Sequence, residues 1–407
     1  MWTEGLKYAK SLLAIPNSEE EKKALQERDD WSVWKLLIAS VRNINSLETT
    51  TEVQSFVKEF IKSQPKSRNA QLAYLDLVQH AVRAGNSTKD DLYVACQGYF
   101  DTNKNKLHCY RDLQIYLSDL ERTELLKFVQ YVLSNQASED SATSPFKGVS
   151  VINALKLEYC FRLSADEANV TKEMVEDYIS RCLQAYRDML SPEQTSESAA
   201  IESHPSDDLC VLAVMCLMRF NEAQVNGSEK QIPDTALIRA TGILERLLHD
   251  SPHNYQALLL LVRIYLRLGA GSLALKTFSK LSVKQFQYET VAHNLFTRLA
   301  TIHPHTAPPY EGAEPKDFNP QVAFMQSLNF YRTAEITTTR NRSNGLEYGS
   351  YVNVEGTIDL QRRLKQSVCR RMCALDVRRI QRLVGGAPMG RYDEVGQYIE
   401  YMRNYPW

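Results

Sequence analysis

Residues 236–281 hold an apolar pattern in register with itself, and few folds accommodate it. Ala240, Leu244 and Leu247 share one face of a helix that Pro252 stops, because proline has no amide proton for a helix interior. Ala257, Leu258, Leu261, Tyr265, Gly269, Ala274 and Phe278 follow at the spacings of a helical hairpin. Small alanines let two helix axes approach, and large aromatic rings fill the space beside them. Such a hairpin buries only one face by itself, so it needs stacked neighbours to complete a core, and the stack leaves an extended groove. Grooves of this kind hold partners rather than make bonds.

The spacing is that of a tetratricopeptide (TPR) unit, and the rest of the chain points the same way. Trp31, Trp34, Leu37, Ile38 and Val41 make one apolar stripe, and Val53, Phe56, Val57, Phe60 and Ile61 another at helical spacing. Pro65 ends that helix, and Ala70 follows five residues later, as Ala257 follows Pro252. Further stripes run to Ile302, and sustained strand-type alternation is missing; only Tyr348 to Val354 reads as a short extended piece. The expected fold is all-α, a TPR-like helical-hairpin repeat solenoid, or alpha-alpha superhelix.

At 407 residues the chain exceeds one ordinary compact core, which suits either several domains or a continuous solenoid. No stretch reaches the roughly 20 apolar residues that span a bilayer; the longest candidate, Leu258 to Leu268, is interrupted by Arg263 and Arg267. The first residues show no basic region followed by an apolar core, so the sequence predicts a cytoplasmic protein without membrane contact. Eight cysteines with no CxxC pair read as reduced thiols between helices. With 48 basic and 49 acidic residues the net charge is −1, so no global field drives association with DNA or membrane.

Polar stretches at 135–148 and 191–207 read as loops, and 303–320, with Pro304, Pro308, Pro309, Pro315 and Pro320, cannot be helical. A boundary is expected there: TPR-like repeats over 1–302, a Pro-rich linker over 303–320, and a C-terminal helical region over 321–407. That last region is read as a helix over 322–334 and one long basic helix over 357–384, ended by Gly385 and Gly386.

Chemistry-bearing motifs are weak. Arg382 to Ala387 matches the loop by which acetyltransferases wrap amides around a coenzyme pyrophosphate, but that chemistry needs a strand before and a helix after, and here a helix precedes the glycines. His303 and His305, with His293 upstream, lack Cys or carboxylate ligands at metal-binding spacing. Cys369 and Cys373 stand i,i+4 on a predicted helix and read as small residues between packed helices. His108 beside Cys109 is no catalytic pair, since such pairs meet through the fold. No catalytic, cofactor-binding or metal-ligating residue is expected in this chain.

The local charge signal lies on the C-terminal helix. Arg362, Arg363, Lys365, Arg370, Arg371, Arg378, Arg379 and Arg382 face only Asp359 and Asp376, with Leu360, Leu364, Val368, Met372 and Leu375 as the apolar side. Two readings stay open: a contact with ribosomal RNA or an acidic partner, carried by Arg363, Arg370, Arg371, Arg378 and Arg379, or a solvated face whose acids come from elsewhere in the fold. A general TPR adaptor gripping an extended peptide or chaperone tail is a further alternative, although the helix at 255–268 offers only Arg263 and Arg267 to a terminal carboxylate.

Three segments together resemble the auxiliary, non-catalytic subunit of the NatB N-terminal acetyltransferase complex, of fungal type. They are Val53 to Val78 (VQSFVKEFIKSQPKSRNAQLAYLDLV), Gly98 to Ser118 (GYFDTNKNKLHCYRDLQIYLS) and Leu258 to Ala300, and Thr339 to Val384 is also similar to fungal members. The resemblance implies a scaffold that cradles a small catalytic acetyltransferase subunit, orders its peptide-binding side and helps bring it to ribosomes. The partner would bind acetyl-CoA and acetylate chains beginning Met-Asp, Met-Glu, Met-Asn or Met-Gln. Tyr99, Phe100, Cys109, Tyr110, Asp112 and Leu113 would shape a turn at or beneath the partner surface. The pattern departs from the family in three ways: fewer hairpins at the N-terminus, prolines at 303–320 where other branches have helix, and a tail after Arg391 that no longer follows.

Overall fold

The computed structural model describes residues 1–14, 28–136, 148–165, 169–190, 203–222, 232–306 and 319–385. All regular structure among them is helical, and the chain divides by internal contact into Met1–Leu190 and Ser191–Trp407.

The first unit runs through α1 (Trp2–Leu12), α2 (Trp31–Ile44), α3 (Leu47–Ser63), α4 (Arg68–Arg83), α5 (Lys89–Asn103), α6 (Cys109–Leu117), α7 (Arg122–Ser134), α8 (Val149–Glu158, continued by a π turn Tyr159–Leu163) and α9 (Lys172–Met189). Short polar side chains start these helices by accepting from otherwise unpaired first-turn amides: Asp30 from Ser32, Ser67 from Ala70, and Thr171 from Met174. Thr88 and Asp91 do so reciprocally as a capping box. Pro65 lies in the turn between α3 and α4, as the sequence predicts.

From α1 to α5 each helix packs on its successor, as α7 does on α8, and second neighbours meet from α2 to α4, α4 to α6, α5 to α7 and α6 to α8. Thus α2, α4, α6 and α8 form one layer, while α5 and α7 pack in the other, which is the stacking of hairpin repeats. The predicted stripes supply the core. Trp34, Val57, Phe60 and Leu77 are buried among α1 to α4, with the Trp34 and Phe60 rings edge to face at 5.0 Å. Leu92, Cys96, Phe100, Leu113 and Phe128 are buried among α4 to α8.

The second unit contains α10 (Asp207–Glu222), α11 (Asp234–Asp250), α12 (Tyr255–Arg267), α13 (Gly271–Ser279), α14 (Gln287–Thr290), α15 (His293–Ile302), α16 (Pro320–Glu347), α17 (Tyr351–Gln366) and α18 (Val368–Val384). The hairpin that began the sequence argument is α11 to α13, with Ala240, Leu244, Ala257, Leu261, Ala274 and Phe278 buried.

Three expectations are corrected here. The region 357–384 is two helices, not one: Ser367 leaves the helical backbone at ψ 126°, and its hydroxyl caps the amide of Arg370. The segment 348–354 is a turn entering α17 rather than an extended piece, and the helix read over 322–334 extends over 320–347. Across the expected linker at 303–320, α15 packs on α16 and α18, and the Phe296 and Phe324 rings lie 4.5 Å apart. Pro320 starts α16, where its missing amide proton would be unpaired anyway. Residues 307–318 lie outside the described residues.

Candidate partner-binding surface

The distinctive segment 98–118 folds as the end of α5, a turn and the start of α6. Tyr99, Phe100, Cys109, Asp112 and Leu113 are buried, and Tyr110 is half-buried. Asp112 is their electrostatic centre. Arg68 on α4 donates to it through Nε at 2.8 Å and Nη2 at 2.6 Å, and the Tyr99 hydroxyl on α5 donates to the same carboxylate. One carboxylate therefore joins three successive helices by charge-assisted bonds of fixed geometry. The Asp112 bond holds the Arg68 guanidinium protonated beyond its usual range, while burial and then the Asp112 bond push the Tyr99 phenol up.

The turn is held from α8. Asn153 donates to the carbonyls of Lys104 and Lys106 at 2.8 and 2.9 Å and accepts from the Tyr110 amide at 3.3 Å. Asn103 donates to Gln71 on α4. Polar side chains thus complete a backbone that turns inside the packing. Cys109 is fully buried, and that burial raises its thiol well above the ordinary value, the opposite of what a nucleophile needs. Five of these six residues lie beneath the surface, and Tyr110 reaches it. The exposed apolar side chains on the same elements are Val94, Leu107 and Ile115, which the sequence reading missed because they fall off the buried stripe.

The C-terminal cations do not form one face. Arg362 and Arg363 both pair with Asp359, Arg363 at 2.7 Å, and Arg379 pairs with Asp376 at 2.7 Å. Arg370 is buried, lies 5.7 Å from the Tyr331 ring centroid and sits 3.7 Å from Glu335 on α16, which also meets Lys365. Arg371 and Arg378 are half-buried. The fold therefore adds Glu335, an acid from another helix, to the local Asp359 and Asp376. A second exposed apolar group stands at the α16–α17 turn, where Leu346, Tyr348, Tyr351 and Val352 project beside a cavity of about 650 Å³.

Gly385, at φ +73°, ends α18, and Gly386 and Ala387 lie outside the described residues. Cys373 meets the Ser327 hydroxyl, Cys369 meets the Glu289 carbonyl, and burial pushes the Cys373 thiol up to about 12. None of the eight cysteines is in a disulfide. Among the described residues no cluster of three or more His, Cys, Asp or Glu side chains is placed to hold a metal, and no helix is long and apolar enough to cross a membrane.

Comparison with known proteins decides the family. The family model of the non catalytic subunit of the N-acetyltransferase B complex (NatB) matches residues 31–404. The chain belongs to this family. Its NatB relatives include the N-terminal acetyltransferase B complex subunit arm1 of Schizosaccharomyces pombe, 24% identical over 367 residues, covering 89% of this chain and 42% of that protein. They also include the human N-alpha-acetyltransferase 25, NatB auxiliary subunit, 24% identical over 388 residues, covering 86% and 37%. The chain spans well under half the length of these relatives. Its fold is similar to a chain of the NatB acetyltransferase complex solved with CoA and MES, with a TM-score of 0.59 at 18% identity over 99% of this chain and 42% of that one. The family match passes Arg391 and so corrects the expectation that the tail departs from the family.

Proposed function

We propose that this chain is the scaffold of a NatB complex: it binds and positions a small catalytic subunit, helps bring it to the ribosome in the cytoplasm, and leaves all bond-making to that partner. The partner would use acetyl-CoA to acetylate nascent chains beginning Met-Asp, Met-Glu, Met-Asn or Met-Gln. Membership of a family of non-catalytic NatB subunits, over residues 31–404, is the observation that carries this reading. The interior agrees with it physically. Buried carboxylates such as Asp112 and Asp207 are bound to Arg or amide donors, burial holds the Cys96, Cys109, Cys182 and Cys373 thiols protonated, and polar groups close turns, as suits a part built for shape. In this reading Tyr99, Phe100, Cys109, Tyr110, Asp112 and Leu113 fix the helices and the turn that present Val94, Leu107 and Ile115 to the guest.

Co-expression with the catalytic subunit tests the proposal. A scaffold of this kind co-elutes with it in size-exclusion chromatography, and Ile115→Glu with Leu107→Glu weakens the association while leaving helical content unchanged. Separate elution of two well-folded proteins would refute the assignment.

A further inference from the structure

Charge along the chain is uneven in one place that apolar spacing hides. Between Ser251 and Thr306 stand six Lys or Arg residues, Arg263, Arg267, Lys276, Lys280, Lys284 and Arg298, against a single acid, Glu289. That acid is occupied, since its carboxylate accepts from the hydroxyls of Tyr331 and Ser367. The second unit folds part of this excess into a cavity of about 320 Å³ between α12 and α15, lined by Arg263, Arg267, Arg298, His293, Asn294 and Thr297, with Leu266 at its wall.

The three guanidiniums form no ion pair with any described residue, in contrast to Arg362, Arg363, Arg370 and Arg379 in the same unit. Stability of the helices does not call for all three. Arg267 sits at the C-terminal end of α12, where a cation offsets the helix dipole, but Arg263 and Arg298 lie within their helices and gain little from it. Gathering like charges around one cavity is unfavourable until an anion enters.

We propose that this cavity is a binding site for a phosphate-bearing ligand. A carboxylate offers two oxygens and one charge, whereas three arginines lining one space have planar five-donor forks to match the several oxygens and multiple charge of a phosphate chain. Thr297 and Asn294 already bond locally, to the His293 and Val291 carbonyls, so the arginines carry the recognition. The phosphates come either from a single-stranded RNA backbone or from a free polyphosphorylated compound.

The test is isothermal titration of the full chain with tripolyphosphate, at low and at moderate salt, with a single-stranded oligoribonucleotide as competitor. Binding is expected to weaken with salt and to fall by more than about tenfold, 1.4 kcal/mol, in Arg263→Ser with Arg298→Ser. Arg263→Lys with Arg298→Lys keeps the charge and loses the fork, so it falls in between. A control that removes two exposed charges elsewhere, Lys62→Ser with Lys127→Ser, leaves affinity unchanged. Competition by the oligoribonucleotide assigns the site to RNA, and its absence to a free compound. No binding, affinity unaffected by the arginine substitutions, equal loss in the control, or tighter binding of an acidic peptide than of tripolyphosphate would overturn the proposal.

Discussion

Asp112 shows how one side chain holds a repeat array in register. Its carboxylate is buried and receives Arg68 and Tyr99 from two other helices, so replacing it leaves a phenol and a guanidinium without their acceptor. Asp112→Ala should lower stability by about 2–3 kcal/mol, because lost bonds to a charged group combine with unpaired donors. A urea titration followed by helical signal checks this, and an unchanged midpoint would show the network to be idle. A second residue-level expectation concerns pH. His80, His108 and His204 all have pKa values lowered from the ordinary 6.5, in each case chiefly by burial. The unfolded chain therefore binds protons that the folded chain refuses, and stability is lost as pH falls through 6.5 toward the depressed folded values. Urea midpoints at about pH 7.5 and pH 5.5 should differ in that direction, and by less in His108→Gln; an equal slope in that variant would contradict the assignment.

At the level of elements, the junction of α17 and α18 is decided by Ser367. It caps the Arg370 amide and donates to Glu289 at 2.6 Å, and Glu289 also accepts from Tyr331 on α16. Ser367→Ala should cost about 1–2 kcal/mol and speed amide exchange in the first turn of α18. Protection there equal to the unmodified protein would mean that the cap does not hold the junction.

This junction also shows where the sequence was and was not legible. Long stripes such as that of α2, and proline stops such as Pro65, announce helices because apolar period and a missing amide are strong local constraints. Ser367 was read through, since Leu360, Leu364, Val368 and Met372 keep a four-residue spacing across it. The break changes the buried face: Cys373, Ala374, Val377 and Ile380 go inside, and Val368 and Leu375 come out. Likewise Glu335 neutralises Arg370 from another helix, and Arg298 joins Arg263 across α12 and α15, pairings that arise only when distant segments pack.

For the whole molecule, the two contact units have the same character: hairpins sealed by apolar stripes, with polar groups spent on joining helices. The family match gives the class of protein, a non catalytic NatB subunit. The central claim is that reactivity lies in the partner. Its most direct test is the rate of acetyl transfer from acetyl-CoA to a Met-Asp peptide by the purified chain alone, by the catalytic subunit alone, and by the two together. The account predicts no turnover by this chain alone and faster turnover by the pair than by the catalytic subunit; steady turnover by the purified chain in isolation would contradict it.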